Sequence, residues 1–144
     1  MININMNMNW GGVLMKLGNL IQSGDFKGEK HVPVIEAPAK VKAGEAFKVF
    51  ISVGKEIPHP NKPEHHICWM QLFYKPTDGK FVIELTKFDY TAHAASMDPA
   101  APGAAMTEPS SSALVKLARS GTLIVQSYCN IHGLWESAQE IEVE

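Results

Sequence analysis

Apolar and polar residues alternate with a period of two through most of this chain. Phe47, Val49, Ile51 and Val53 are separated by polar or differently sized residues, the mark of a half-buried strand. The segments VPVIE (32–36), ICWMQLFY (67–74), FVIELTKFDY (81–90), SALVKLA (112–118), GTLIVQSYC (121–129) and AQEIEVE (138–144) read the same way. KAGE, KPTDGK and ARSG fall between them as hairpin-type breaks. About seven short strands at this spacing predict an antiparallel sandwich or barrel.

The pattern differs at two places. Trp10, Val13, Leu14, Leu17, Leu20 and Ile21 recur at helical spacing before Ser23-Gly24, which predicts a short amphipathic N-terminal helix behind a frayed tail of residues 1–9. ASMDPAAPGAAMTEPSSS (95–112) is rich in Ala, Pro and Ser and predicts a surface loop without chemistry of its own. The expected division is a tail and helix over 1–22 and one β domain over 23–144.

Length and composition fit that division. The chain has 144 residues, 45% hydrophobic and 19% charged, enough for a single core and with no signature of disorder. A formal net charge of −2 argues against a nucleic-acid partner, which needs a basic face. No apolar run is long enough to span a membrane, and MININMNMNW lacks the basic start of a signal peptide, so the expected location is cytoplasmic. Two cysteines, Cys68 and Cys129, are too few for a secreted disulfide framework. A bridge between them stays open, but a reducing compartment favours free thiols or metal ligation.

Three segments carry chemistry. GEKHVP (28–33) places Glu29, Lys30 and His31 before the first strand. HPNKPEHHICW (59–69) concentrates His59, His65 and His66, and Pro58, Pro60 and Pro63 stiffen that loop. SYCNIHGLWE (127–136) ends a strand with Cys129 and His132, a spacing that lets a thiolate and an imidazole bind one ion. A lone histidine is more often structural than a ligand, but every candidate here flanks a predicted strand. One thiolate with several imidazoles suits zinc, copper or iron. Four histidines and one cysteine exceed the tetrahedral set of structural zinc. A five-coordinate site with one open face is the alternative, and on a redox metal that face is where a small molecule reacts.

EKHVPVIE, VGKEIPHPNKPEHHI and SYCNIHGLWE resemble the superoxide reductases, in the single-domain class also called neelaredoxins, and so resemble the desulfoferrodoxin iron-binding domain. The resemblance runs from about Ser23 onward. No Cys-x-x-Cys module precedes it, so the two-iron architecture is not expected. The resemblance implies an immunoglobulin-like β-sandwich that binds one iron ion per chain and reduces superoxide to hydrogen peroxide. It implies equatorial ligation by His31, His59, His65 and His132 and axial ligation by Cys129, with backbone N–H groups of Ile131 and His132 on the sulfur. Lys30 becomes the cation that draws in the anion, and Glu29 resembles the carboxylate that caps the oxidised metal. His66 and His93 are then non-ligands, and Cys68 is a small buried hydrophobe. The implied partners are a rubredoxin-like electron donor and further copies of the chain in a homotetramer.

A different class of protein shares part of the pattern. Tyr-Cys-x-x-His at a strand end, with a histidine far upstream, also resembles blue-copper electron-transfer sandwiches. Those sites add a weak Met ligand a few residues after the histidine. No Met follows His132 here, and His31 and His65 would have no role.

Overall fold

The computed structural model describes residues 15–24 and 30–144. Eight strands form over this span: β1 Val34–Glu36, β2 Lys40–Val41, β3 Phe47–Ser52, β4 Ile67–Pro76, β5 Ile83–Asp89, β6 Ser110–Val115, β7 Gly121–Cys129 and β8 Gly133–Val143. They make a three-stranded sheet in the order β1-β3-β6 and a five-stranded sheet in the order β2-β8-β7-β4-β5. Every pairing is antiparallel except β2 with β8. The fold is the expected all-β sandwich.

The core lies between the sheets. Val49 and Ile51 of β3 and Val115 of β6 meet Met70 and Leu72 of β4, Leu123 and Val125 of β7 and Ile141 of β8. Strand β7 shows how the alternating pattern becomes position. Its odd-numbered residues from Gly121 to Cys129 are all buried, and the residues between them are partly exposed. Cys129 therefore falls on the inner face, in line with Leu123 and Val125, because side chains alternate across a strand.

Strand β8 begins at Gly133, five residues before the expected AQEIEVE. The Gly133-Leu134-Trp135 stretch, where Gly133 alone would suggest a turn, pairs with β7 up to Cys129↔Gly133. The turn is confined to Asn130, Ile131 and His132, and Gly133 closes it with φ 83°, a conformation that costs glycine little. In the predicted N-terminal helix, residues 10–14 lie outside the described part. The remainder forms a single 3-10 turn, Leu17–Asn19, with Leu17 and Leu20 exposed. Gly18 sits inside that turn, where it weakens a longer helix. Beyond it Gln22 joins the edge of β8: its N–H donates to the Leu134 carbonyl (3.1 Å) and its carbonyl accepts from Glu136 N–H (2.8 Å).

Candidate metal centre

The β4–β7 ladder ends at the pair Ile67↔Cys129, so the histidine-rich loop enters β4 beside the cysteine. Within that loop Lys62 and His65 exchange backbone hydrogen bonds of 2.9 and 3.1 Å around Pro63-Glu64. This tight turn aims His65 back at the end of β7. On the other side, Ser127 Oγ donates to the His31 carbonyl at 2.9 Å, and Ser137 Oγ donates to the Pro33 carbonyl. The segment before β1 is thereby fastened across β7 and β8. The long sequence separations in the site are closed by these strand-end contacts.

Four imidazoles then occupy the corners of a near-square. Ring centroids are separated by 4.9 Å for His31–His59, 4.7 Å for His59–His65, 5.0 Å for His65–His132 and 4.7 Å for His132–His31. The His31–His65 diagonal is 6.5 Å. Adjacent rings are steeply inclined to one another, by 64–78°. Ligand atoms of His31, His65, Cys129 and His132 all lie within 4.8 Å of one another. His59 fills the corner between His31 and His65. His31 and Cys129 are fully buried, His59 is nearly so, and His65 and His132 are half-exposed.

The donors fit a transition-metal ion. His31 Nε2 and His132 Nδ1 are 3.0 Å apart. Two nitrogens about 2.1 Å from one ion and at right angles to each other are separated by about 3.0 Å. His59 Nδ1 donates to the Pro60 carbonyl at 2.7 Å, which leaves the buried Nε2 as the lone-pair nitrogen. The His132 N–H points at Cys129 Sγ from 3.4 Å, one of the two amides expected there. Trp135, fully buried, stacks on His31 at 4.6 Å and 16° and donates its indole N–H to the His132 carbonyl at 3.2 Å. It thereby braces two of the four rings.

The adjacent histidines of the EHH run part company. His66 turns away from the cluster, donates Nδ1–H to the Lys62 carbonyl and stacks on His93 at 3.5 Å and 4°. His93 is buried, with Nδ1 2.8 Å from Asn61 Oδ1 and Nε2 2.8 Å from the Tyr90 carbonyl. Burial, and then the His66 ring, push its pKa down, partly offset by the Tyr90 carbonyl. Asn61 also donates to Thr107 O at 3.0 Å, so the end of the 95–112 loop supports the ligand loop. Nothing in the Ala- and Pro-rich composition of that loop signals this.

Cys68 and Cys129 are both free thiols. Cys68 sits at a bulge in β4 and is half-buried rather than fully enclosed. Burial, followed by the proximity of Cys129, raises its pKa, so at neutral pH it stays a thiol. Lys30 is half-buried immediately before His31, and Glu29 lies outside the described residues. Four gathered imidazoles do not favour the blue-copper alternative, which uses two.

The desulfoferrodoxin family model matches residues 23–138. A Thermotoga maritima relative is 54% identical over 130 residues, covering 90% of this chain and 99% of its own. A crystal structure from the same organism, 53% identical and covering 91% of this chain and 99% of its own, superimposes with a TM-score of 0.83. The superoxide reductase of Pyrococcus abyssi is 49% identical over 126 residues, 88% of this chain and 99% of its own. The neelaredoxin of Megalodesulfovibrio gigas is 41% identical over 130 residues, 90% of this chain and all of its own. With a matching fold, a matching profile and relatives aligned over nearly their whole length, this chain belongs to the desulfoferrodoxin family and groups with its single-domain superoxide reductase and neelaredoxin members.

Proposed function

We propose that this protein is a superoxide reductase, with His31, His59, His65, His132 and Cys129 holding one iron ion and residues 23–144 forming the catalytic unit. The observation that carries the reading is the near-square of four imidazoles beside a fully buried cysteine. When bound, iron supplies the one-electron couple by which superoxide and two protons become hydrogen peroxide. The chain's own residues set the conditions. Cys129 keeps its sulfur out of water, and the His132 amide at 3.4 Å draws charge from it, limiting how strongly it donates. The half-exposed edge formed by His65 and His132 leaves access for a small anion and for protons from solvent. Lys30 supplies local positive charge that the net charge of −2 does not. Glu29 is the carboxylate reserved for the oxidised metal.

The electron is supplied by a rubredoxin-like carrier in the cytoplasm: a single group of candidate metal ligands is found among the described residues, and Cys68 and Cys129 are free thiols, as a reducing compartment keeps them. The assembly is a homotetramer, which gives the exposed Met15, Leu17 and Leu20 a partner to bury against. Light scattering at micromolar concentration should report a tetramer, and a clean monomer refutes that assignment.

Metal analysis with visible spectra of the oxidised and reduced protein tests the central reading. One iron per chain, a thiolate charge-transfer band that bleaches on reduction and peroxide formed without dioxygen are expected. Copper in the site, or dioxygen released from superoxide, overturns it.

A further inference from the structure

Asn130 follows Cys129 in the turn between β7 and β8, and its side chain is exposed. Exposure and position suggest an ordinary turn residue, but its hydrogen bonds point elsewhere. Asn130 N–H donates to the His66 carbonyl at 3.2 Å, continuing the β4–β7 ladder past its last pair. Its side chain then carries the pairing further along the ligand loop. Oδ1 accepts from His66 N–H at 2.9 Å, and Nδ2 donates to the Glu64 carbonyl at 3.0 Å. An amide N–H can only donate and a carbonyl can only accept, so the orientation of the carboxamide is fixed by its partners.

We propose that Asn130 is a positioning residue for the metal centre, gripping the backbone on both sides of His65 and locking the His65 turn to the Cys129–His132 turn. The inference rests on the metal-centre reading above. The loop carrying His65 has its own two-residue turn, but that turn sets only its internal shape. Its placement against β7 beyond Ile67↔Cys129 comes from Asn130. Only a carboxamide offers an acceptor and a donor at this reach. Aspartate would keep the bond to His66 N–H and set a second oxygen against the Glu64 carbonyl; alanine would remove both bonds.

Titration of the metal-free protein with Co2+, followed by its visible spectrum, tests this on the parent, Asn130→Ala, Asn130→Asp and His65→Gln. Outer contacts of this kind typically change metal affinity 10–100-fold, so a loss of roughly tenfold is expected for both Asn130 variants. Their ligand-field bands should move in the direction taken by His65→Gln, with the thiolate band retained. The melting temperature of the metal-free variants should fall by no more than a few degrees, because the lost hydrogen bonds are exposed and the core is untouched. Parent-like ligand-field bands in Asn130→Ala overturn the proposal, whatever the affinity, since general loosening would weaken binding without displacing one ligand. A parent that takes up no Co2+ refutes the metal-centre reading and this inference with it, whereas equal binding by parent and variants refutes this inference alone.

Discussion

The two ends of strand β7 use the same ladder for opposite purposes. At Gly121 the neighbouring polar groups are satisfied within the framework. Tyr74 Oη donates to the Arg119 carbonyl at 2.5 Å, Thr77 N–H to the Ser120 carbonyl at 3.0 Å, and Val143 N–H to Ser120 Oγ at 2.8 Å. A Cβ on Gly121 would meet the Lys75 carbonyl oxygen at 2.3 Å and Tyr74 Cε2 at 2.5 Å, so this end is closed by backbone packing. At Cys129 the same strand delivers a buried sulfur and the junction with a histidine loop, and the turn that follows directs the His132 amide at that sulfur. One end rigidifies the sandwich and the other presents a donor set on that rigid support. The expectation is that stability and chemistry separate along a single strand.

The sharpest way to break this comparison is a pair of substitutions, one at each end. Cys129→Ser should abolish the thiolate band and lower activity at least about 100-fold while the sandwich still folds, as judged by circular dichroism and thermal melting. Persistence of the band would make Cys68 or another group the ligand. Gly121→Val should do the reverse, with about 2–3 kcal/mol lost in denaturant unfolding and an unchanged spectrum in the folded fraction. A spectral change in that variant would show the two ends to be coupled.

The next comparison lies within the EHH run. His65→Gln should lose metal or distort the spectrum, whereas His66→Gln and His93→Gln should keep about one iron per chain, since their rings stack on each other away from the cluster. Metal analysis decides it, and a worse result for His66→Gln would reverse the assignment.

A smaller effect separates Lys30 from Glu29. Lys30→Ala should slow the bimolecular reaction with superoxide about fivefold, the effect of roughly 1 kcal/mol from one local charge. The loss should shrink at high salt, because exposed charge is screened over about 8–10 Å. Glu29→Ala should leave the encounter unslowed and alter the oxidised spectrum instead. Pulse radiolysis across ionic strengths measures both, and an encounter slowed only by Glu29→Ala contradicts the roles given.

The smallest expected effect is a pH slope from His93. Its folded pKa lies below the ordinary value of about 6.5. Above that value neither state is protonated, and the full contribution of the neutral ring to stability is present. As pH falls below it, the unfolded chain takes a proton that the folded site resists, so stability declines until the pH passes the lower folded value. Stability of His93→Gln should fall less steeply over this range in denaturant titrations, and a steeper fall would contradict the sign.

Much of this was legible in the sequence because strands bury alternate residues. The period of two in GTLIVQSYC placed Cys129 on the inner face, and the hairpin breaks located most strand ends. The ligand loops were legible through unusual residue types: prolines around histidines, and Cys-x-x-His at a strand end. What composition did not reveal was the supporting layer. Asn130, Ser127 and Asn61 are ordinary polar residues whose partners lie 32 to 96 positions away, and no local pattern marks such a pair. The Leu17 segment read as a helix because periodicity registers apolar spacing, whereas the geometry there is a single 3-10 turn with Gly18 inside it. The β8 start was missed for a related reason: Gly133 reads as a turn residue, yet its positive φ ends the turn and begins the strand.

The side-by-side contact of His31 and His132, 101 residues apart in sequence, also orders events in time. During synthesis, His31, His59 and His65 emerge well before β7 and β8 deliver Cys129 and His132. Pairing across such separations waits for the distant segment, so the site is assembled late in the chain's folding. An incomplete chain therefore lacks the sulfur and the fourth imidazole together, and the donor set proposed for the metal is complete only once β7 and β8 are in place. Cys129 at the end of β7 and His132 in the turn that follows thus tie the completion of the proposed donor set to the last hairpin of the sandwich.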